Sequence, residues 1–397
     1  LDRRVVKDTV SLILAGGTST NVKEIIGGNK LTHKALKVLA ELPGGKQITE
    51  WISIIHASIG LILCQNPKKI IVSTSIDGPY TGDTYNSVVG ILNDCYKKEL
   101  KTGKIISIIR RNGLVLDPTT GEPLKFPSGH VAVCGENHLW SFLPLLADKN
   151  LAIEILKKTS GIITIGNGDN ILNYPRGSMI KPILDARAKG KELGTVVACV
   201  PSNVDKKGGF VAEVTYYNAG TNETFIRTEL RETREFPTRN KKATGFNSST
   251  DLSGEKGSDF YKRCENGGLF IEDIFGDEEV AFNINFLTVD MRIIVEKMFG
   301  LGINETGFAK FTKHLEKISP QQWADTVNSF AERVPKNRRY SKKMLNGNGT
   351  EEVTGVVDEQ AVQDLVVNLL SSLGVDVEFF LVKRKDSFAP YKGEFCL

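Results

Sequence analysis

Short apolar runs rich in β-branched residues alternate with longer stretches of helical period along the first half of the chain. Such runs are typical of buried strands. The pattern predicts strands at Val10 to Ala15, Lys69 to Ser73, Ile105 to Arg110, Gly161 to Ile165 and Thr195 to Val200. It predicts helices at Gln47 to Gln65, Asp83 to Glu99, His138 to Asp148 and Ile180 to Lys189. We therefore expect an α/β fold with a Rossmann-like, doubly wound core and a mainly parallel sheet, which binds ligands where the strands end.

The pattern changes beyond Gly208, where alternating segments flank a turn at Asn218-Ala219-Gly220 and predict an antiparallel hairpin added to the sheet. The stretch from Lys241 to Lys256 has few large apolar residues and predicts a surface loop. Later segments predict a helical region at Phe308 to Arg333 and a basic loop at Pro335 to Lys343. They also predict an amphipathic helix at Glu359 to Leu373 and a short strand at Val377 to Val382. The pattern thus divides the chain into a catalytic core, residues 1–300, and a helical C-terminal region, residues 301–397, which returns a short strand to the core.

Composition excludes several classes of function. The chain has 397 residues, 40% of them hydrophobic, which is enough for a large core. Its net charge of +4 is far from the basic excess of a nucleic-acid binder. Its six cysteines form no C-x-x-C pair, and no apolar run reaches the roughly 20 residues that span a bilayer. We expect a cytoplasmic monomer or homodimer that binds neither nucleic acid nor a membrane.

The first predicted strand leads into a glycine loop, Leu14-Ala15-Gly16-Gly17, which is followed by Thr20 and later by Lys30. Glycines at the end of a strand let backbone N–H groups approach a base or a phosphate, and a lysine beyond them supplies positive charge. The spacing is neither G-x-G-x-x-G nor a Walker A loop. A tight turn that needs positive φ explains the same glycines.

Two further clusters follow predicted strands or turns. Pro127-Ser128-Gly129-His130 is a candidate binding loop, or only a turn that leads into a strand. In Asn167-Gly168-Asp169-Asn170, an aspartate stands at the end of an apolar strand. Asp169 is therefore well placed to bind Mg²⁺, which prefers hard oxygen ligands. An Asx turn that closes the strand is the alternative.

The remaining candidates lie in the second half of the chain. Asn283 and Asn285 stand two positions apart in a predicted strand, so their carboxamides share one face and suit sugar hydroxyls. An edge strand with solvated asparagines is the alternative. Near the end, Phe388-Ala389-Pro390-Tyr391-Lys392 carries a lysine that, by default, is a surface residue of a frayed terminus.

Taken in chain order, these clusters resemble the motifs of the eukaryotic-type UDP-sugar pyrophosphorylase family, which includes UDP-glucose and UDP-N-acetylhexosamine pyrophosphorylases. The resemblance extends from about residue 10 to residue 392, although each motif is short. It implies magnesium-dependent transfer of a nucleotidyl group, uridylyl in this family, from a nucleoside triphosphate to a sugar 1-phosphate. Pyrophosphate is the second product.

The resemblance also implies a role for particular residues. It assigns catalysis to Lys30 and Lys392 and Mg²⁺ to Asp169. The residues that it assigns to the nucleotide are Leu14, Ala15, Gly16, Gly17, Thr20, Gly129 and Asn167. Those that it assigns to the sugar substrate are His130, Gly209, Glu229 and Asn285.

The chain departs from the family pattern at three places. Ser19 replaces a loop glycine, Val131 follows His130, and Arg110-Arg111 stands where many members have a glutamine that reads the base. These departures support an alternative, a catalytically inactive relative that binds nucleotide sugars as a sensor or scaffold. A nicotinamide-dependent oxidoreductase is disfavoured, because no acidic residue follows a second strand at the distance that ribose recognition needs.

Overall fold

A computed structural model describes residues 2–15, 25–26, 29–30, 38–41, 51–75, 84–110, 113–134, 139–168, 170–199, 209–218, 223–232, 282–302, 307–334, 338–345 and 351–383. Its strands are β1 (Val10–Leu14), β2 (Ile25–Ile26), β3 (Asn29–Lys30), β4 (Val38–Glu41), β5 (Trp51–Ser53), β6 (Lys69–Ser75), β7 (Ile105–Arg110), β8 (Gly113–Leu114), β9 (Val133–Cys134), β10 (Ile162–Asn167), β11 (Leu193–Cys199), β12 (Gly209–Asn218), β13 (Glu223–Glu232), β14 (Phe282–Asp290), β15 (Arg338–Leu345), β16 (Glu352–Glu359) and β17 (Asp376–Val382). Its helices are α1 (Asp2–Val6), α2 (Ile54–Gln65), α3 (Thr84–Cys95), α4 (Lys97–Lys101), α5 (Leu139–Ala147), α6 (Lys149–Lys158), α7 (Gly177–Ala188), α8 (Met291–Phe299), α9 (Phe308–Lys317), α10 (Pro320–Glu332) and α11 (Val362–Asp364), which continues as a π-helix over Leu365–Leu370.

One large mixed sheet organises the chain. Strands β7, β6, β1 and β10 are neighbours in that order and run parallel. Strand β14 runs antiparallel between β10 and β11, and β17 lies parallel to β11 on its other side. The β12–β13 hairpin joins the end of β14, where Phe210 pairs with Phe282. The predicted α/β fold class, a mainly parallel Rossmann-like sheet with added antiparallel strands, is confirmed.

Helices cover both faces of this sheet, as the alternation within β1 requires. Leu12 and Leu14 face a cluster that includes residues of α5, α6, α8, α9 and α10. Ile13 and Ala15 face the opposite cluster, which includes residues of α2 and α3. Burial of each large apolar side chain stabilises the fold by about 1.5–3 kcal/mol. The two-sided core therefore fixes β1 and, with it, the edge where β1 ends.

The five strands predicted in the first half of the chain agree closely with β1, β6, β7, β10 and β11. Ile105–Arg110 agrees at both ends, and the other four agree within two residues. The predicted helix from Gln47 was wrong in its first part, because Trp51–Ser53 is a strand that pairs with β4 and the helix begins at Ile54. A β-branched and aromatic segment of this kind suits either structure, and pairing with β4 decides between them.

Two predictions for the C-terminal part need correction. The basic stretch that predicted a loop includes residues 338–343 of β15, which pairs antiparallel with β16 along its whole length. The segment predicted as an amphipathic helix is helical from Val362, but its short α-helical turn continues as a π-helix over Leu365–Leu370, and it is buried on nearly all sides, so it is not amphipathic. The loop predicted at Lys241 to Lys256 lies outside the described residues.

Helices α9 and α10, the π-helix and β17, all beyond residue 300, share the core of the large sheet. Trp323 and Phe330 of α10 belong to the same cluster as Leu12, and β17 extends the sheet beside β11. The predicted boundary at residue 300 stays a prediction. No helix within the described ranges is both long enough and apolar enough to cross a bilayer.

Candidate functional site

Three residues that the sequence singled out lie in one row at the carboxyl edge of the parallel strands. Leu14, the last residue of β1, pairs with Asn167, the last residue of β10. On the other side of β10, the pairing with β14 ends at Gly166 and Phe286, and Asn167 and Asn285 are the residues that adjoin this last pair. Adjacent strands lie about 4.8 Å apart, so the three strand ends span about 10 Å of this edge. Ligands of open α/β sheets bind at this kind of edge.

The turn after β10 is fastened to its neighbours just before Asp169. The Gly168 N–H donates to the Leu14 carbonyl at 3.0 Å, and the buried Ser58 hydroxyl of α2 donates to the Gly168 carbonyl at 3.0 Å. An added Cβ at Gly168 would come within 3.1 Å of Ile13 and 3.3 Å of Ile55. The close packing therefore favours glycine here and fixes the chain direction one residue before Asp169.

The residues that follow Asp169 form a buried amide turn. The Asn170 carboxamide donates to Asn173 Oδ1 at 2.7 Å and accepts from the Leu172 N–H at 3.3 Å. Asn170, which is 2% exposed, therefore forms an Asx turn of its own, while the choice between a metal ligand and a turn at Asp169 stays open because Asp169 lies outside the described residues. Asn167, in contrast, is only half-buried at the end of β10.

A cluster of three carboxamides, Asn283, Asn285 and Gln363, lies at the β14 end of the row. Asn283 Nδ2 and Gln363 Nε2 both donate to Asn285 Oδ1, each at 3.0 Å. The Asn285 N–H donates in turn to Asn283 Oδ1 at 3.0 Å. Because β14 lies inside the sheet and Asn283 is 3% exposed, the alternative of an edge strand with solvated asparagines is wrong.

Gly129 and His130 lie in an exposed turn of a separate small β-unit. Gly129 has φ +86°, and its N–H donates to the Phe126 carbonyl at 2.8 Å. The Ser128 hydroxyl donates to Glu351 Oε2 at 2.7 Å and lies 3.3 Å from His130 Nδ1. The unit begins at Gly113, shortly after β7 ends, and is therefore attached at the carboxyl edge of the sheet.

The remaining predicted residues are described only in part. Gly209 begins β12 and Glu229 lies in β13 opposite Ala212, while Lys30 lies in β3 opposite Ile25. The side chains of Glu229 and Lys30 are not described. Gly16, Gly17, Thr20, Asp169 and Lys392 lie outside the described residues, and their roles stay predictions. In the part of the chain that the structure describes, no group of three or more His, Cys, Asp or Glu side chains is arranged to hold a metal ion.

Buried charges lie at both edges of the sheet. At the carboxyl edge, the Arg110 guanidinium is 4% exposed at the end of β7 and lies 3.5 Å from the Ser141 hydroxyl. At the opposite edge, Arg187 Nε donates to Asp290 Oδ2 at 2.8 Å. Burial raises the pKa of the Asp290 carboxyl above its ordinary value, although Arg187 acts in the other direction. The Arg187–Asp290 pair therefore stabilises the sheet at the edge opposite the candidate site.

Comparison with known proteins identifies the fold. UDP-glucose pyrophosphorylase from Leishmania major, solved in open and closed structures, matches with a TM-score of 0.59 and 15% identity, over 99% of this chain and 65% of that one. A mutant of the same enzyme, solved in complex with UDP-glucose, matches with a TM-score of 0.57 and 15% identity, over 99% and 65% of the two chains. UDP-N-acetylglucosamine pyrophosphorylase from Trypanosoma brucei, in complex with an inhibitor, matches with a TM-score of 0.54 and 14% identity, over 98% and 63%.

No family model and no curated protein sequence matches the chain. The chain spans a little less than two thirds of the length of the solved structures that it resembles. The resemblance predicted from the motifs is therefore confirmed at the level of the fold, which is that of the UDP-sugar pyrophosphorylases.

Proposed function

We propose that the chain transfers a nucleotidyl group, the uridylyl group of UTP, to a sugar 1-phosphate and releases pyrophosphate. The observation that carries the proposal is the row of Leu14, Asn167 and Asn285 across three neighbouring strands. Residues far apart in sequence meet there at the edge where α/β sheets bind ligands. The fold is the one that UDP-glucose and UDP-N-acetylglucosamine pyrophosphorylases have.

In the proposed reaction, a phosphate oxygen of the sugar 1-phosphate attacks the α-phosphorus of the triphosphate. The bond from that phosphorus to the bridging oxygen breaks, and pyrophosphate leaves with the electron pair. A sugar phosphate is already ionised at neutral pH, so the reaction needs no general base. The protein has to align two anions and offset their charge. Lys30 and Lys392 would offset charge on the leaving and incoming phosphates.

Mg²⁺ is the proposed cofactor, held by Asp169. One described neighbour suits such an ion. Asn167, the half-buried last residue of the strand that precedes Asp169, has a carboxamide oxygen, which is a hard donor. Asn170, by contrast, is committed to its turn. A bound Mg²⁺ would offset negative charge of the phosphates. Ser58 and Gly168 would hold the chain on which Asp169 is carried.

The nucleotide end of the proposed site is the edge formed by β1 and its loop. The Ala15 N–H is already committed to the Ser73 carbonyl at 2.8 Å, so β1 and β6 stay joined up to the start of the glycine loop. The N–H groups of Gly16 and Gly17 would then face the nucleotide. Gly129, Thr20 and Asn167 complete the proposed nucleotide contacts, and His130, Gly209, Glu229 and Asn285 those of the sugar.

The test is release of pyrophosphate from UTP, ATP, GTP or CTP with Mg²⁺ and a panel of hexose 1-phosphates. We expect release with UTP that depends on the sugar phosphate, together with a nucleotide sugar of the expected mass. Reactions without the sugar phosphate are the control. The proposal fails if no pair of substrates gives pyrophosphate. Stabilisation by a UDP-sugar without any pyrophosphate exchange would instead favour the inactive sensor or scaffold.

A further inference from the structure

We propose that Gln363 is a positioning residue for Asn285 and that the two carboxamides together form a subsite for one sugar hydroxyl. This inference rests on the proposed function, because it names a determinant of sugar binding at the same site. Gln363 is 78 residues from Asn285 in sequence, and its Nε2 donates a hydrogen bond to Asn285 Oδ1.

The first step of the argument is the backbone of Asn285. This residue has φ +56° within β14, a conformation that residues other than glycine rarely adopt. It lies at an irregularity, because Val197 pairs with Phe286 whereas the next residue of β11, Ala198, pairs with Asn283. Bulges of this kind re-aim a side chain and recur beside active sites, where backbone strain is retained for function.

The second step is the orientation of the Asn285 carboxamide. Its oxygen accepts from both Asn283 and Gln363, so the Asn285 amide nitrogen lies at the other end of the carboxamide, in the same plane. Two amide donors on one oxygen define which end is oxygen and which is nitrogen. Asn285 is only half-buried. Its Nδ2 therefore offers a donor in a fixed direction at the carboxyl edge, next to Asn167.

The third step is the acceptor that Gln363 retains. Gln363 is 4% exposed, and its Oε1 is buried without a hydrogen-bond partner among the described residues. Buried acceptors are normally satisfied, so one that stands beside an oriented donor indicates a missing partner. A hydroxyl group accepts one hydrogen bond and donates another, which matches the Asn285 donor and the Gln363 acceptor.

The fourth step is the local structure that holds Gln363. The next residue, Asp364, fixes the segment through both of its carboxylate oxygens. The buried Ala361 N–H donates to Asp364 Oδ2 at 3.1 Å, and Asn368 Nδ2 donates to Asp364 Oδ1 at 3.0 Å. The helix then widens into the π-helix of Leu365–Leu370. Single π-turns within helices are frequent at functional sites, because the extra residue displaces the side chains before and after it. The segment thus holds Gln363 firmly against β14.

The test compares Gln363→Met with Gln360→Met in the full chain. Gln360 is an equally buried glutamine on the same segment, but its amide donates to the Ala331 and Val334 carbonyls, away from β14. We expect Gln363→Met to raise KM for the sugar 1-phosphate about 5- to 10-fold, the effect of one lost hydrogen bond, with KM for UTP changed less than about twofold. Gln360→Met lowers the melting temperature and leaves both KM values unchanged.

A second measurement separates hydroxyl recognition from a general structural effect. Hexose 1-phosphates that lack one hydroxyl are compared with the parent substrate in the wild type and in Gln363→Met. The wild type discriminates against one of these analogues, and the variant loses that discrimination. If Gln363→Met raises KM equally for the sugar 1-phosphate and for UTP, or if it discriminates against the analogue as the wild type does, the inference is overturned. Should Gln363→Met not fold, Gln363→Glu has nearly the same volume, cannot donate to Asn285 Oδ1 and should raise the same KM.

A binding assay keeps this inference distinct from the proposed function. UDP-glucose should raise the melting temperature of the wild type more than UDP does, and Gln363→Met should lose the difference. If the wild type shows this difference but no turnover, the catalytic proposal fails and the subsite stands. If turnover is present and Gln363→Met behaves as the wild type in both assays, only the subsite fails. If neither binding nor turnover is observed, both are overturned.

Discussion

Removal of Arg187 is expected to destabilise the sheet edge opposite the candidate site. The Asp290 side chain is 2% exposed, and that of Arg187 is 25% exposed. Arg187 donates to Asp290 through Nε and Nη2, and its Nη1 donates to the Ser160 carbonyl at 2.8 Å. Breaking a buried pair typically costs about 3–5 kcal/mol. Because Arg187 is partly solvated, we expect Arg187→Ala to lower the free energy of unfolding by about 3 kcal/mol at pH 7.

The loss should depend on pH in a defined direction. The folded-state pKa of Asp290 is raised by burial, so the stability linked to this carboxyl is complete below its unfolded pKa, near pH 4. That stability is lost as pH rises through the folded pKa. Arg187→Ala removes the group that lowers this pKa and raises it further. The variant should therefore be closest to the wild type in acid and fall behind it towards neutral pH.

Asp290→Asn is the matched control. An asparagine still accepts from the Arg292 N–H, as Asp290 Oδ1 does at 2.9 Å, and remains a good N-cap for α8. Its amide nitrogen then faces the Arg187 donors in place of Oδ2, so we expect a loss of about 1–3 kcal/mol, but without the pH dependence of Arg187→Ala, because no carboxyl titrates at this position. Urea unfolding at pH 4.5 and pH 7, followed by tryptophan fluorescence, measures both variants. An Arg187→Ala loss below about 1 kcal/mol at pH 7, or one equal at both pH values, would refute the reasoning.

Four further variants test the packing and the proposed chemistry. Gly166→Ala places a Cβ 2.8 Å from Asn173 Cβ and should cost about 1–3 kcal/mol in urea unfolding. An added Cβ at Gly60 in α2 has no atom within 4 Å, so Gly60→Ala should instead stabilise the fold by about 0.5–1 kcal/mol. A change in unfolding free energy of the same sign for both variants would contradict the packing. Lys392→Ala should reduce turnover at saturating substrate by about 10²-fold, and unchanged turnover would remove this lysine from the mechanism. Asp169→Asn should shift the Mg²⁺ titration of turnover to higher metal, and an unaltered titration would exclude it as the ligand.

The parallel half of the fold was predictable because each strand carries its own signal. Ile105–Arg110 is a β-branched run between helical segments, and its limits in the structure agree with the pattern. Strand β15 was missed because its arginines and lysines mask the period of two, and only pairing with β16 makes it a strand. The π-helix was missed because apolar periodicity does not reveal one inserted residue.

Part of the candidate site was also predictable. Asn167 and Asn285 stand in or at the end of apolar strands, and β10 and β14 bring them together. Gln363 carries no such signal, because its contact with Asn285 is tertiary and a buried glutamine on an apolar segment looks like any helix residue. The positive φ of Asn285 has no sequence signature either, since the bulge depends on how β11 and β14 align.

The position of β17 has a consequence for biosynthesis. β11 acquires this parallel neighbour only after roughly 180 further residues have been made, since Leu193 pairs with Asp376. At about 5–20 residues per second, one side of β11 stays without that partner for roughly 10–35 s on the ribosome. Unpaired strand borders favour association between chains, so the nascent protein has an interval in which chaperone binding is most useful.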